Sequence, residues 1–350
     1  MSAPLGDSHL SHHRQTRHLL LILLIAFGSG PAAMGQLTKS VRESVDAKSS
    51  RPVIDTFVAA QIKNLSSEDA KIQKNARDLL ANEASYPTVS SGFLDEYADS
   101  LNAAVLPLAN SPDFHVRLSA AIAVARVAAK AGNTRLSGAT IAFIKDKNPA
   151  VALWGLKAAK YILPSMILGL QAPGPMGQTV IDAAKLHSTG AVAEEAYNTL
   201  LLQTDAGGLR GFQPAVLKPY LPIPIGLFEY RVKLYEDFAP PQPLADTLAC
   251  KFFVNVNVWQ AMTVPQQRQA QQLMLDLLKG AAKQNAADSK PELVEVIRQT
   301  AGAFEVAAGP LKNDPLKKAA HLLSTINNET TAGEIDTRIT AVEDAIKSAP

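Results

Sequence analysis

The chain has a single cysteine among its 350 residues. Cys250 can therefore form no internal disulfide, even in an oxidising compartment, and metal or redox motifs built on paired cysteines are excluded. Set among Ala249, Phe252 and Phe253, it reads as a small buried hydrophobe. Aromatic residues are scarce, at 6% of the chain, and together with the many alanines this favours packed helices over strands. An excess of one charge is also lacking, since the formal net charge is +2. Counterion release on a nucleic acid needs a concentrated basic surface, so the sequence offers no reason to expect that partner.

Spacings that force a mechanism are missing too. There is no histidine pair around a glutamate for zinc, no glycine loop ending in lysine for phosphate, no serine with a glycine two residues away on both sides, and no serine three residues before a lysine. No metal or cofactor is expected. The adjacent carboxylates Asp95 with Glu96, and Glu194 with Glu195, fall near the first turns of predicted helices. Negative charge is favoured there by the helix dipole, and neighbouring residues on a helix point in different directions.

What is present begins with an address. Arg14 and Arg17 precede an apolar run from Leu19 to Phe27, followed by Gly28, Pro31 and small residues, which is the pattern of a signal peptide over residues 1–35. Nine apolar residues are too few to span a bilayer stably. Ala33 and Gly35 supply the small side chains that a signal peptidase needs, so cleavage is expected between Gly35 and Gln36. The expected product is exported, periplasmic or secreted, without a transmembrane span; left uncleaved, the segment would anchor the chain to a membrane. Removing it takes away Arg14, Arg17 and Asp7 and brings the remainder close to neutrality. It also removes four histidines, leaving His115, His187 and His321, each alone in its segment and read as a surface or packing residue.

Residues 36–50 are polar and small and are expected to be a flexible lead-in. From Arg51 onward the apolar residues recur at helical spacing. Ile54, Phe57, Val58 and Ile62 mark a first helix. Ser66 is the expected cap of a second, which turns Ile72, Ala76, Leu79 and Leu80 inward. A clearer hairpin follows, with Phe93, Leu94, Tyr97, Leu101, Val105 and Leu108 on one helix. Its partner opens at Pro112 and Asp113, carries apolar residues on two faces, and ends at Gly132. A helix apolar on two faces must lie between neighbours. Anchors at Ile72, Val116, Leu153 and Val192 are 44, 37 and 39 residues apart, the period of a two-helix repeat.

The run from Pro112 through Asp113, Phe114, His115, Val116, Arg117 and Leu118 to Ala120, Ala121 and Val124 resembles the second helix of a HEAT-like, armadillo-type repeat. Asn148, Pro149, Leu153 and Ala158 resemble a further copy, and Val192, Ala196 and Leu200 a weaker one. The resemblance covers residues 51–203 and implies an all-α fold, an α-solenoid of helical hairpins followed by a second helical domain. It also implies that Asp113 and Arg117 knit adjacent repeats. The pattern departs from the family where Ala150 stands for the aspartate, and where Trp154, Gln73 or Ala193 stands for the arginine.

Pro164, Gly169, Pro173, Gly174 and Pro175 predict a kink or long loop between Leu163 and Gly177. Residues 204–226, rich in glycine and proline, are expected to be a linker, and residues 227–350 a C-terminal helical domain. Helices there are marked by Leu273, Leu277 and Leu278, by Leu293 to Phe304 after Pro291, by Leu316 to Ile326, and by Ile335 to Ile346.

Nine of the 20 aromatics lie between Phe212 and Trp259. Aromatic side chains can seal a junction between helices or anchor a partner. Tyr220, Tyr230, Tyr235 and Trp259 are the candidate docking residues. Sequons at Asn64 and Asn328 matter only in a host that glycosylates. The sequence thus suggests an exported, non-catalytic repeat scaffold that binds another protein. The alternatives are an enzyme with a site in the C-terminal half near His321 or Asp237, and an envelope-associated structural subunit.

Overall fold

Asp113 shows how short polar signals set the helix starts. Its carboxylate accepts from the His115 amide at 2.8 Å, and the left-handed Gly132, with φ of 57°, closes the same helix. Asn148 opens its helix in the same way, accepting from the Ala150 amide, so a cap is present although residue 150 is not an aspartate. Thr263 and Thr331 each complete a capping box. The first hairpin differs from expectation: Asp69 rather than Ser66 is the cap, accepting from the Lys71 amide at 2.7 Å.

The computed structural model describes residues 35–348 except 188, 203–207, 238, 239 and 241. The expected leader, residues 1–34, lies outside the described residues. Among the described residues there are helices and no strands. They run α1 Lys39–Arg42, α2 Arg51–Leu65, α3 Ala70–Glu83, α4 Ser91–Val105, α5 Phe114–Ala131, α6 Ser137–Ile144, α7 Pro149–Leu168, α8 Gly174–Leu186 and α9 Gly190–Leu200. After these come α10 Pro214–Leu217, α11 Pro222–Asp237, α12 Asp246–Phe253, α13 Val256–Ala261, α14 Val264–Ala287, α15 Pro291–Leu311, α16 Asp314–Ser324 and α17 Ala332–Lys347.

The packing follows a simple rule. Each hairpin, α2 with α3, α4 with α5, α6 with α7, and α8 with α9, lies beside the next. One row of contacts passes from α2 through α4, α6, α8, α11 and α14 to α17. A second passes from α3 through α5, α7, α9 and α12 to α15, and ends on α16. In the last hairpin the order is inverted: α16 packs on α15 in the second row, and α17 returns to α14 in the first. Buried apolar side chains form one contiguous cluster from Leu37 to Ala345, as the two-faced stripes of α5 and α7 require. By length and composition α7 alone of the described helices could cross a membrane, but over half of its apolar window is buried against its neighbours.

Several expectations are corrected. Residues 36–50 are not a loose lead-in: Leu37, Val41 and Ala47 are buried. Glu83 holds the segment, accepting from the Leu37 amide at 3.2 Å and from Arg42 at 3.0 Å, while the Arg42 guanidinium lies 3.6 Å over the Tyr86 ring. Gln36 is exposed and accepts from the Tyr86 hydroxyl at 2.9 Å; Gly35 beside it is exposed. Pro164 does not break α7, which continues to Leu168. Pro175 sits in the first turn of α8, leaving only a short loop.

Residues 212–226 are not an exposed linker either. Pro214 and Pro222 open helices, and Phe212, Leu217, Tyr220 and Leu221 are buried. Ile72 is 41% exposed. The buried position beside it is Gln73, which donates to the Ser67 carbonyl and accepts from Ser119 on α5.

Candidate functional site

The four aromatic candidates divide into two pairs. Tyr220 and Tyr235 are buried, so neither can serve as an exposed docking residue. A tyrosine fills a core position once its hydroxyl finds an acceptor. Tyr220 donates to the Leu200 carbonyl at 2.6 Å, tying the proline-rich segment to the end of α9. Tyr235 donates to Asp246 at 2.9 Å. Tyr230 and Trp259 are half-buried. Lys185 on α8 lies 5.4 Å over the Tyr230 ring. Trp259 lines a groove of about 460 Å³ with Val264, Gln267, Gln271 and Leu311.

Tyr235 belongs to a network that the sequence did not reveal. Asp246, at the start of α12, is fully buried. It accepts two hydrogen bonds from Arg231 on α11, at 2.8 and 2.9 Å. Tyr197 on α9 donates to it at 2.8 Å. Both charges are thus compensated and paired in a fork, the arrangement that a buried ion pair needs. Burial and then the charge of Asp246 hold the Tyr197 and Tyr235 hydroxyls well above their usual range. Burial opposes the charge on Arg231, but Asp246 outweighs it and raises that group. The network ties α9, α11 and α12 together through one carboxylate.

Cys250, one turn along α12, is buried and its thiol is pushed up to about 12, chiefly by burial. The folded protein is therefore expected to resist alkylation at pH 8 and to react fully once unfolded in urea. Mass spectrometry of the alkylated chain checks this, and labelling of the folded state would contradict the burial.

Asp113 and Arg117 take different parts. Asp113 caps α5 as described above. Arg117 reaches across the hairpin boundary, donating to Asp146 at 2.7 Å and to the Ser111 carbonyl at 2.8 Å. His187, from the hairpin after that, approaches the Asp146 carbonyl at 3.1 Å. The loop carrying Asp146 is thereby held from both sides. Arg117→Ala is expected to lower stability by about 2 kcal/mol, the scale of lost hydrogen bonds to a charged group. Asp113→Ala should cost only about 1 kcal/mol as a lost cap. Urea melts of both variants measure the difference.

The exposed edge of the second row holds a second aromatic site. Trp154 occupies the position where the repeat pattern has an arginine, and it is half-buried on α7. One turn apart, Trp154, Lys157 and Tyr161 share a face, and Arg126 on α5 lies opposite. Together they line a cleft of about 300 Å³. The Lys157 ammonium is 4.4 Å from the centre of the Trp154 ring. The chain has two tryptophans, and each lies at the wall of a surface cleft. Only the departure of Trp154 from the repeat pattern could have signalled the α7 site in the sequence.

Of the remaining titratable candidates, His321 is exposed near Glu305, and the side chain of Asp237 lies outside the described residues. Asp95 accepts from Asn133, and Glu96 pairs with Arg51 at 2.8 Å. Among the described residues no group of three or more histidine, cysteine, aspartate or glutamate side chains is placed to hold a metal ion. Comparison with known protein families, with curated proteins and with solved structures finds no match.

Proposed function

We propose that this chain is an exported, non-catalytic helical-repeat scaffold, its hairpins stacked as an α-solenoid, that binds another protein along the exposed edges of its two helix rows. The observation that supports this reading is the two rows of helix-to-helix contacts that run from α2 to α17. Hairpins stacked in this way create an extended surface, which repeat proteins use for binding. Two half-buried tryptophans at cleft walls supply the large, amphipathic side chains that anchor partners. Their clefts lie in different halves, which suits one extended partner or two separate ones.

The test has two arms. N-terminal sequencing of the mature protein, with fractionation, should find Gln36 as the first residue in an exported fraction; an intact Met1 would contradict export. Capture from that compartment should then recover a partner at fixed stoichiometry, and Trp154→Ala with Trp259→Ala should reduce its recovery at least tenfold. Equal recovery by the double variant would contradict binding at these clefts.

A further inference from the structure

Among the described residues, the α7 cleft is lined by more cationic than anionic side chains. Among the described residues, Arg126 is paired with Asp78 on α3, whereas Lys157 and Lys160 have no carboxylate within ion-pair distance. Glu195 on α9 is the one acidic group at the wall. Two ammonium groups one turn apart repel each other, and the Trp154 ring takes up only the first of them. Ala125 and Ala129 of α5 add apolar lining to the cleft that holds the indole. The site therefore offers positive charge at the rim and apolar contact below, on one face of adjacent helices.

We propose that this cleft binds an acidic, extended segment of the partner protein, with its carboxylates on Lys157 and Lys160 and an apolar side chain on Trp154. The inference rests on the scaffold reading and names the chemistry of the partner. An extended segment fits because the lining comes from successive turns of α5 and α7, and carboxylates match ammonium groups that have no ion pair among the described residues. A nucleic acid would meet too few cations here for a phosphate track, since the chain as a whole carries little net charge.

The test uses the full-length protein carrying Trp259→Phe, so that Trp154 is the only fluorophore of its kind. The probes are a synthetic peptide of glutamates flanking a phenylalanine, and its counterpart with glutamines. The acidic peptide should change Trp154 emission saturably. Its affinity should fall at least fivefold between 50 and 200 mM salt, and at least tenfold in the Lys157→Gln/Lys160→Gln protein. Both lysines are partly solvent-exposed, so the variant should melt like its parent.

Equal binding of the two peptides, no loss in the double variant, or tighter binding of a single-stranded oligonucleotide would each overturn the assignment. Undiminished capture of a native partner by the Lys157→Gln/Lys160→Gln protein would overturn the acidic-segment site while leaving the scaffold standing. Absence of any stoichiometric native partner, with the acidic probe still bound, would instead overturn the scaffold reading alone.

Discussion

Asp246→Ala is expected to lower stability by about 3–5 kcal/mol, because it removes the buried carboxylate to which Arg231, Tyr197 and Tyr235 all donate. Asp246 touches helices α9, α11 and α12, so the loss falls where the two halves of the chain meet. Tyr197→Phe removes one hydrogen bond and should cost about 1 kcal/mol. The contrast separates the clasp from simple packing, since both positions are buried. Urea denaturation of the three proteins measures it. An Asp246→Ala protein within about 1 kcal/mol of its parent would mean that the ion pair contributes nothing beyond its volume.

The second large effect concerns a sign. In a free helix, glycine is about 1 kcal/mol worse than alanine, so Gly→Ala normally stabilises. At Gly302 on α15 an added methyl group meets nothing within 4 Å, and Gly302→Ala should raise stability by about 0.5–1 kcal/mol. At Gly155 on α7 the same methyl group would lie 2.6 Å from the Ile144 amide nitrogen and 2.9 Å from the Phe143 carbonyl carbon. Those are backbone atoms of α6 and its C-cap approach, which cannot swing aside as a side chain would. Gly155→Ala is therefore expected to destabilise by about 1–3 kcal/mol, despite its better helix propensity. Thermal melts of the pair should move in opposite directions. A stabilising Gly155→Ala would show that α6 and α7 are not in backbone contact.

Much of the helical content was legible because apolar stripes and helix-opening residues are local signals. The starts at Pro112 with Asp113 and at Pro291, and the end at Gly132, depend on residues within a turn of the boundary. The errors have a common physical cause. The prolines at 164, 214 and 222 read as breaks in the sequence, but Pro214 and Pro222 begin helices and Pro164 sits near the end of one. Whether a proline interrupts or initiates depends on where the chain packs next, and that is not local information. Polar composition at residues 36–50 likewise suggested a loose segment, while the buried Glu83, 41 residues beyond Arg42, supplies the charge that holds it.

The docking candidates failed in part for the same reason. Tyr220 and Tyr235 look equivalent to Tyr230 and Trp259 in the sequence. What buries the first two is a carbonyl on α9 and a carboxylate on α12, acceptors that only the fold brings within reach. Trp154 was visible as a departure from the repeat pattern, but its meaning depends on Lys157 and Arg126 lying around one cleft. The clasp around Asp246 joins residues 49 positions apart and left no spacing to find.

The most direct test of the account exploits the two tryptophans, one in each half. Trp259→Phe leaves Trp154 to report on α7, and Trp154→Phe leaves Trp259 to report on the groove beside α14. If helices pack without a break through residues 212–226, urea titrations of the two proteins, each normalised to its own far-ultraviolet circular dichroism, should give coincident midpoints. Separate midpoints, with one half melting while the other stays folded, would contradict a continuous stack.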